Sequence, residues 1–222
     1  MAGRITEKES TIEPTIAVLG ILGALLIGAM SPGPSFVLVA RTSIGVSRRD
    51  GLAAALGMGV GGLVFGGLAF LGLRAVLEQV GWLYAGLKVL GGLYLLYLAS
   101  VLWRTAVHPF DAPASAGPRP RQLRRSFALA LATQLSNPKT AVVYGSIFAA
   151  FLPASLPGWM AAAMLPSILL VETGWYALVA LALSSGRPRA AYLRWKKWID
   201  RAAGSVMGAL GIRLIADMGR RT

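Results

Sequence analysis

The chain has no cysteine and a single histidine, His108. The first absence excludes a disulfide framework and a thiol nucleophile. With the second, it leaves no His/Cys set for a soft-metal site. His108 lies in a Pro-rich stretch, a poor setting for the base of a Ser-His-Asp hydrolase. Charge is scarce too. Asp, Glu, Lys and Arg make up 14% of the residues, where a soluble domain carries about 25%. Acidic residues are fewest, 9 against 22 Lys and Arg, for a net charge of +13. In a soluble chain that excess would suggest a nucleic-acid partner. Here its distribution has another explanation, so no nucleic-acid partner is expected.

Apolar residues are abundant, at 55% of the 222 positions, and they gather in runs of roughly 20. Such a run crosses a hydrocarbon core about 30 Å thick at about 1.5 Å of helix rise per residue. The chain therefore reads as an all-α, polytopic membrane protein. Six spans are expected, over Ile16–Ala40, Leu52–Leu73, Val80–Trp103, Phe127–Leu152, Trp159–Ser184 and Ile199–Ala216. The last is the weakest, with eleven uncharged residues between Arg201 and Arg213. Both arginines can snorkel to opposite interfaces. Residues 1–15 are polar and slightly acidic, without the basic start and short apolar core of a signal peptide, so the first apolar run reads as a retained span.

Lys and Arg fall unevenly about these spans. Loops 1–2, 3–4 and 5–6 hold fourteen, while the N-terminus, the even-numbered loops and the C-terminus hold six. The positive-inside rule then places both termini outside and the odd-numbered loops in the cytoplasm. The longest loop, "TAVHPFDAPASAGPRPRQ", is rich in Pro, Ala and Gly and reads as a flexible linker. Taken over residues 105–125, it separates a first three-span unit, 16–104, from a second unit with a short tail, 126–222.

The two units share an oddity. The first span is broken at "GPS", residues 33–35, and the fourth at "NPK", residues 137–139. Pro34 and Pro138 stand 104 positions apart, each near mid-span. Three spans per unit is an odd number, so the second unit is inverted in the membrane. Interrupted spans at matching places in two halves are a sequence pointer to an inverted-repeat transporter and its binding site. Unpaired backbone groups in hydrocarbon cost several kcal/mol each, so broken helices survive only inside protein or beside a watery cavity. Freed N–H groups suit anions and freed carbonyls suit cations, a combination that fits a zwitterion. A simple proline kink is the plainer account of either break alone.

Two charges lie near the same depth. Lys139 is about 13 residues into the fourth span and Glu172 about 14 into the fifth, each roughly 20 Å along its helix. A charge at that depth costs on the order of 2.5–3.5 kcal/mol. Either the two form a structural ion pair, or Lys139 meets a solute carboxylate while Glu172 carries a proton or a solute amine. Lys88, nearer a span end, reads as a snorkelling side chain. "GMGVGG", residues 57–62, matches a dinucleotide fingerprint in letters alone, because no strand precedes it. Its Gly57/Gly61 spacing, like Gly204/Gly208, suits close helix packing.

"SPGPSFVLVARTSIGVSRRDGLAAALGMGVG" resembles the opening signature of the LysE/RhtB family of amino-acid exporters. "LKVLGGLYLLYLASVLWRT", "LATQLSNPKTAVVYGSIFAAFLP", "VETGWYALVAL" and "AAGSVMGALGIRL" are similar to its later blocks, in order, over about residues 16–216. The resemblance implies a six-span, often dimeric carrier in the bacterial cytoplasmic membrane. It would export amino acids or related small solutes, be driven by protons, and need no cofactor, metal or enzymatic activity. Pro32, Gly33, Pro34 and Ser35 fall on the first signature, Asn137, Pro138 and Lys139 on the second, and Glu172 on a common acidic position. Where the family often carries an acid in the second span, this chain has Gly62, which removes one cation or proton ligand. The residues leave two other classes open, an exporter of inorganic cations and a lipid-handling intramembrane protein.

Overall fold

The computed structural model describes residues 3–31, 33–79, 81–107, 122–153, 157–184 and 186–216, apart from the side chains of 3–13, 73–79, 81–85, 87–88, 186–189 and 191–193. His108, Pro32 and the linker from 108 to 121 lie outside these residues, as does the side chain of Lys88.

Among the described residues there are eight helices and no strand: α1 (Gly3–Met30), α2 (Pro34–Gly45), α3 (Arg48–Gln79), α4 (Gly81–Thr105), α5 (Leu123–Leu135), α6 (Pro138–Phe151), α7 (Gly158–Leu183) and α8 (Gly186–Ala216). In hydrocarbon a helix satisfies every backbone group within its own segment, which is why apolar runs this long fold this way. Arg48–Gly72 of α3 and all of α7 are long and apolar enough to cross a membrane. Residues 14–30 of α1 join α2 across a 60° bend as a third candidate. The other three expected spans coincide with helices that do not pass that test within the described residues. For α4 it covers Val89–Thr105, and α5 and α8 open on basic residues, Arg124 and Arg125 in the first and five between Arg187 and Lys197 in the second.

Both interruptions read in the sequence are real helix breaks. The helix stops at Met30 and restarts at Pro34, then stops at Leu135 and restarts at Pro138. The glycine stripe of α3 serves packing. A Cβ at Gly61 would fall 2.6 Å from Gln134 Cγ of α5, and one at Gly66 would fall 2.7 Å from Ile168 Cδ1 of α7. Gly57 backs directly onto the α5 backbone at Phe127. Along the α4–α8 seam, a Cβ at Gly204 would lie 2.6 Å from the Trp103 ring and one at Gly211 2.7 Å from the Gly92 carbonyl. Small residues let helices approach where lipid gives no hydrophobic drive for association.

At the Arg-rich end, Asp50 ties α3 to α5. Its Oδ2 accepts from Ser47 Oγ (2.6 Å), and its Oδ1 accepts from the Gln122 backbone N–H and Ser126 Oγ, both at 3.0 Å. Besides a small cluster of Leu95, Ala99 and Met207 between α4 and α8, the interior holds two larger apolar clusters. One is built on α1, α6 and the first half of α7 around Leu25, Tyr144 and Met164. The other is built on α2, the start of α3 and the second half of α7 around Phe36, Met58 and Tyr176. The breaks lie where the two meet.

Candidate functional site

The two breaks use the same local chemistry. Pro34 and Pro138 each open the helix that follows. Proline has no N–H to donate, so it ends one helix and starts the next without losing a bond in the new first turn. Asn137 caps α6, its Oδ1 accepting from the Lys139 backbone N–H at 3.1 Å. Gly33 precedes α2 in extended conformation with no side-chain cap. Two helix N-termini, each the positive end of a dipole, therefore meet at one place.

Side chains join the breaks across the chain. Ser35 Oγ donates to Gln134 Oε1 at 2.6 Å and accepts from Asn137 Nδ2 at 3.1 Å. Lys139 Nζ reaches back to the end of α1, donating to Ser31 Oγ (2.9 Å) and to the Ser31 carbonyl (3.2 Å). From α7, Trp175 Nε1 donates to the Ala29 carbonyl at 3.0 Å, holding one of the carbonyls the break sets free.

A cavity lies among them. Ser31, Gly33, Ser35, Gln134, Asn137, Lys139, Thr140, Tyr144, Glu172 and Tyr176 supply its polar wall, and Leu25, Phe36 and Val143 part of its apolar wall. It offers about 30 Å³ to the centres of water-sized molecules, room for about two waters at 10–15 Å³ each. Glu172 is buried, and Tyr144 OH donates to its Oε1 at 3.0 Å. Its Oε2 is also buried and has no hydrogen-bond partner. Lys139 and Glu172 thus share a cavity without pairing with each other. The cation is held by Ser31 and the carboxylate by Tyr144, so of the two sequence-based readings the structural ion pair is not formed.

Of the eight residues expected at a site, the structure brings five to this wall: Gly33, Ser35, Asn137, Lys139 and Glu172. Pro34 and Pro138 are exposed and do not line it. Their contribution is to start α2 and α6. Pro32 lies outside the described residues. Five polar wall residues were not expected: Ser31, Gln134, Thr140, Tyr144 and Tyr176. Ser31 and Gln134 are polar residues just before each break, and Tyr176 stands one turn beyond Glu172, so a helical count could have found them. Tyr144 carries no such signal. Away from the cavity, the sequence reading also missed a buried pair on α8. Lys196 Nζ donates to Asp200 Oδ2 at 2.7 Å and to the Thr105 carbonyl at 3.4 Å, tying α8 to the end of α4. Among the described residues, no three His, Cys, Asp or Glu side chains are grouped to hold a metal ion.

Comparison with known proteins matches the LysE type translocator family over residues 26–218. A threonine efflux protein of Salmonella typhi is 35% identical over 191 residues, covering 86% of this chain and 93% of that one. The threonine efflux protein of Escherichia coli K12 is 34% identical over 193 residues, with the same coverage. A leucine efflux protein of Enterobacter sp. (strain 638) is 29% identical over 200 residues, covering 89% of this chain and 92% of that one. No solved structure gives a significant match. The paired proline breaks around one polar cavity thus occur in a chain matched along most of its length, and the protein belongs to the LysE type translocator family.

Proposed function

We propose that this protein is a secondary-active exporter of neutral amino acids or closely related small polar solutes. It works across the bacterial cytoplasmic membrane by alternating access, driven by the proton gradient. The observation that carries this reading is the convergence of two proline-started half-helices on one polar cavity with Lys139 and Glu172 on its walls. A zwitterion complements that wall. Its carboxylate suits Lys139 and the two helix N-termini, and its ammonium suits the free Glu172 Oε2. One cation facing one anion favours a solute with no net charge. The printed names of the relatives, threonine and leucine efflux proteins, point the same way.

Six spans in two inverted three-helix repeats accord with the packing. α1–α2 would correspond to α5–α6, α3 to α7, and α4 to α8. α3 packs on α7 and α4 packs on α8, as elements related by a two-fold axis would. The Lys and Arg distribution supports termini outside. Room for about two waters does not accommodate an amino acid, so the cavity widens to load and constricts between loads. Glu172 takes a proton in exchange for the solute ammonium, which couples the two fluxes.

Purified protein in liposomes, loaded with labelled L-threonine or L-leucine with and without a pH gradient, tests this. The expected result is saturable flux, with accumulation above equilibrium only under the gradient. Glu172→Gln keeps downhill exchange and loses gradient-driven accumulation. No flux of either amino acid refutes the exporter reading, and accumulation by Glu172→Gln refutes the coupling role.

A further inference from the structure

The departure noted at Gly62 has a structural counterpart. A Cβ added at Gly62 would fall 2.7 Å from the Tyr144 hydroxyl oxygen, 2.9 Å from Glu172 Cγ and 3.4 Å from its Cδ. Any side chain on α3 at that position would occupy the space of the Tyr144–Glu172 hydrogen bond. At the junction of α3, α6 and α7 the carboxylate therefore comes from α7, in space that Gly62 leaves open. Both partners are buried, Glu172 at 3% exposure and Tyr144 at 2%. Tyr144 has one hydroxyl hydrogen and commits it to Oε1 at 3.0 Å. The tyrosine ring is itself held, stacked on Phe148 at 6.3 Å and tilted against Phe65 at 5.9 Å between centroids. With Oε1 engaged by a held donor, the rotation of the carboxylate is restrained and Oε2 is the oxygen left without a partner.

We propose that Tyr144, given room by Gly62, is a positioning residue that orients Glu172 so that Oε2 receives the solute ammonium, and that this pair sets the preference for amino acids over solutes lacking the amine. The inference rests on the reading of the cavity as the solute site. A buried, orphaned carboxylate oxygen costs more than a satisfied one, and a site built this way rejects a ligand that leaves it unpaired. A 2-hydroxy acid has the same carboxylate and side chain as its amino acid but presents a neutral hydroxyl where the ammonium would be. It therefore isolates the interaction.

The test is competition against labelled L-threonine and L-leucine flux in liposomes, each challenged with the unlabelled amino acid and with its 2-hydroxy acid. Wild-type flux is read first, and flux of neither amino acid overturns the exporter reading before any variant is made. With flux present, wild type prefers the amino acid. In Tyr144→Phe that preference falls about tenfold or more, the loss expected for a hydrogen bond to a charged group. Affinity for the 2-hydroxy acid stays within about twofold. Gly62→Ala gives the same selective loss by pushing on the hydroxyl, and serves as the second variant if Tyr144→Phe does not fold by gel filtration. An unchanged preference in a folded variant overturns the proposal. So does an equal weakening of both ligands, which is the signature of a packing role alone.

Discussion

Replacing Lys139 by Met keeps most of the length of the side chain and removes its charge and its three donors. For the fold, the change subtracts two hydrogen bonds from a charged donor to Ser31, each worth about 1.5–3 kcal/mol net. It also relieves the cost of holding a partly buried cation near the middle of a span, on the order of 2.5–3.5 kcal/mol. The terms oppose each other, so thermal stability in detergent should fall by no more than about 3 kcal/mol. For transport the terms do not cancel. A charge-assisted bond to the solute carboxylate is worth about 1.5–3 kcal/mol, which is roughly ten- to 150-fold in apparent affinity. The assay is competition in liposomes between an amino acid and its primary amide, which keeps the ammonium and the side chain. Wild type should prefer the acid by about that factor, and Lys139→Met should lose the preference. A folded Lys139→Met protein that still favours the acid over the amide refutes the assignment of Lys139 to the carboxylate.

Two further outcomes follow from features outside the cavity. Asp50→Ala strips the start of α5 of the acceptor for Gln122 N–H and Ser126 Oγ and frees Ser47 Oγ, three bonds at about 1 kcal/mol each. Thermal unfolding in detergent should show a loss of about 3 kcal/mol, and an unshifted transition would show that the α3–α5 tie carries no stability. Because the chain has no cysteine, Lys8→Cys and Arg49→Cys give single-site labels. A membrane-impermeant maleimide added to intact spheroplasts should react at position 8 and reach position 49 only after permeabilisation. The reverse pattern sinks the termini-outside orientation.

The breaks were legible because Pro34 and Pro138 act locally. A proline in a long apolar run breaks the helix whatever surrounds it. Lys139 and Glu172 were legible for a related reason, since a charge in such a run stands out from its neighbours. What could not be read was the side of each helix that faces the interior. On α7 the buried residues follow a strict four-residue stripe, Met160, Met164, Ile168, Glu172, Tyr176 and Ala180. The exposed face carries Leu170 and Leu178, as apolar as the stripe itself. In water the two faces would differ in polarity, but lipid removes that difference, and with it the periodic signal that marks the inward face; only a count of one turn on from Glu172 reaches Tyr176. Tyr144 was hidden for another reason. Its role depends on Gly62, 82 positions earlier, and nothing in either local stretch records that they meet. The α8 pair Lys196–Asp200 was obscured because residues 186–198 were read as a charged loop, whereas the helix begins at Gly186.

The strength of the junction between the breaks bears on how a small solute could open it. Four side-chain hydrogen bonds cross it: Ser35 to Gln134, Asn137 to Ser35, and two from Lys139 to Ser31. At about 1 kcal/mol net for each neutral pair and about 1.5–3 kcal/mol for each bond from the ammonium, they hold the constricted form by roughly 5–8 kcal/mol. A ligand shifts a conformational equilibrium only by its difference in affinity for the two forms. A solute bound at a millimolar Kd brings about 4 kcal/mol, which is less than that hold. Under the proposed function, the solute carboxylate would therefore have to replace the bonds from Lys139 to Ser31 as it enters, not add to them. A buried Lys139–Glu172 ion pair would have changed the balance, because breaking a buried pair costs about 3–5 kcal/mol by itself. If the cavity is the solute site, keeping the two charges apart, each on a neutral partner, makes the junction easier to open than an ion pair would.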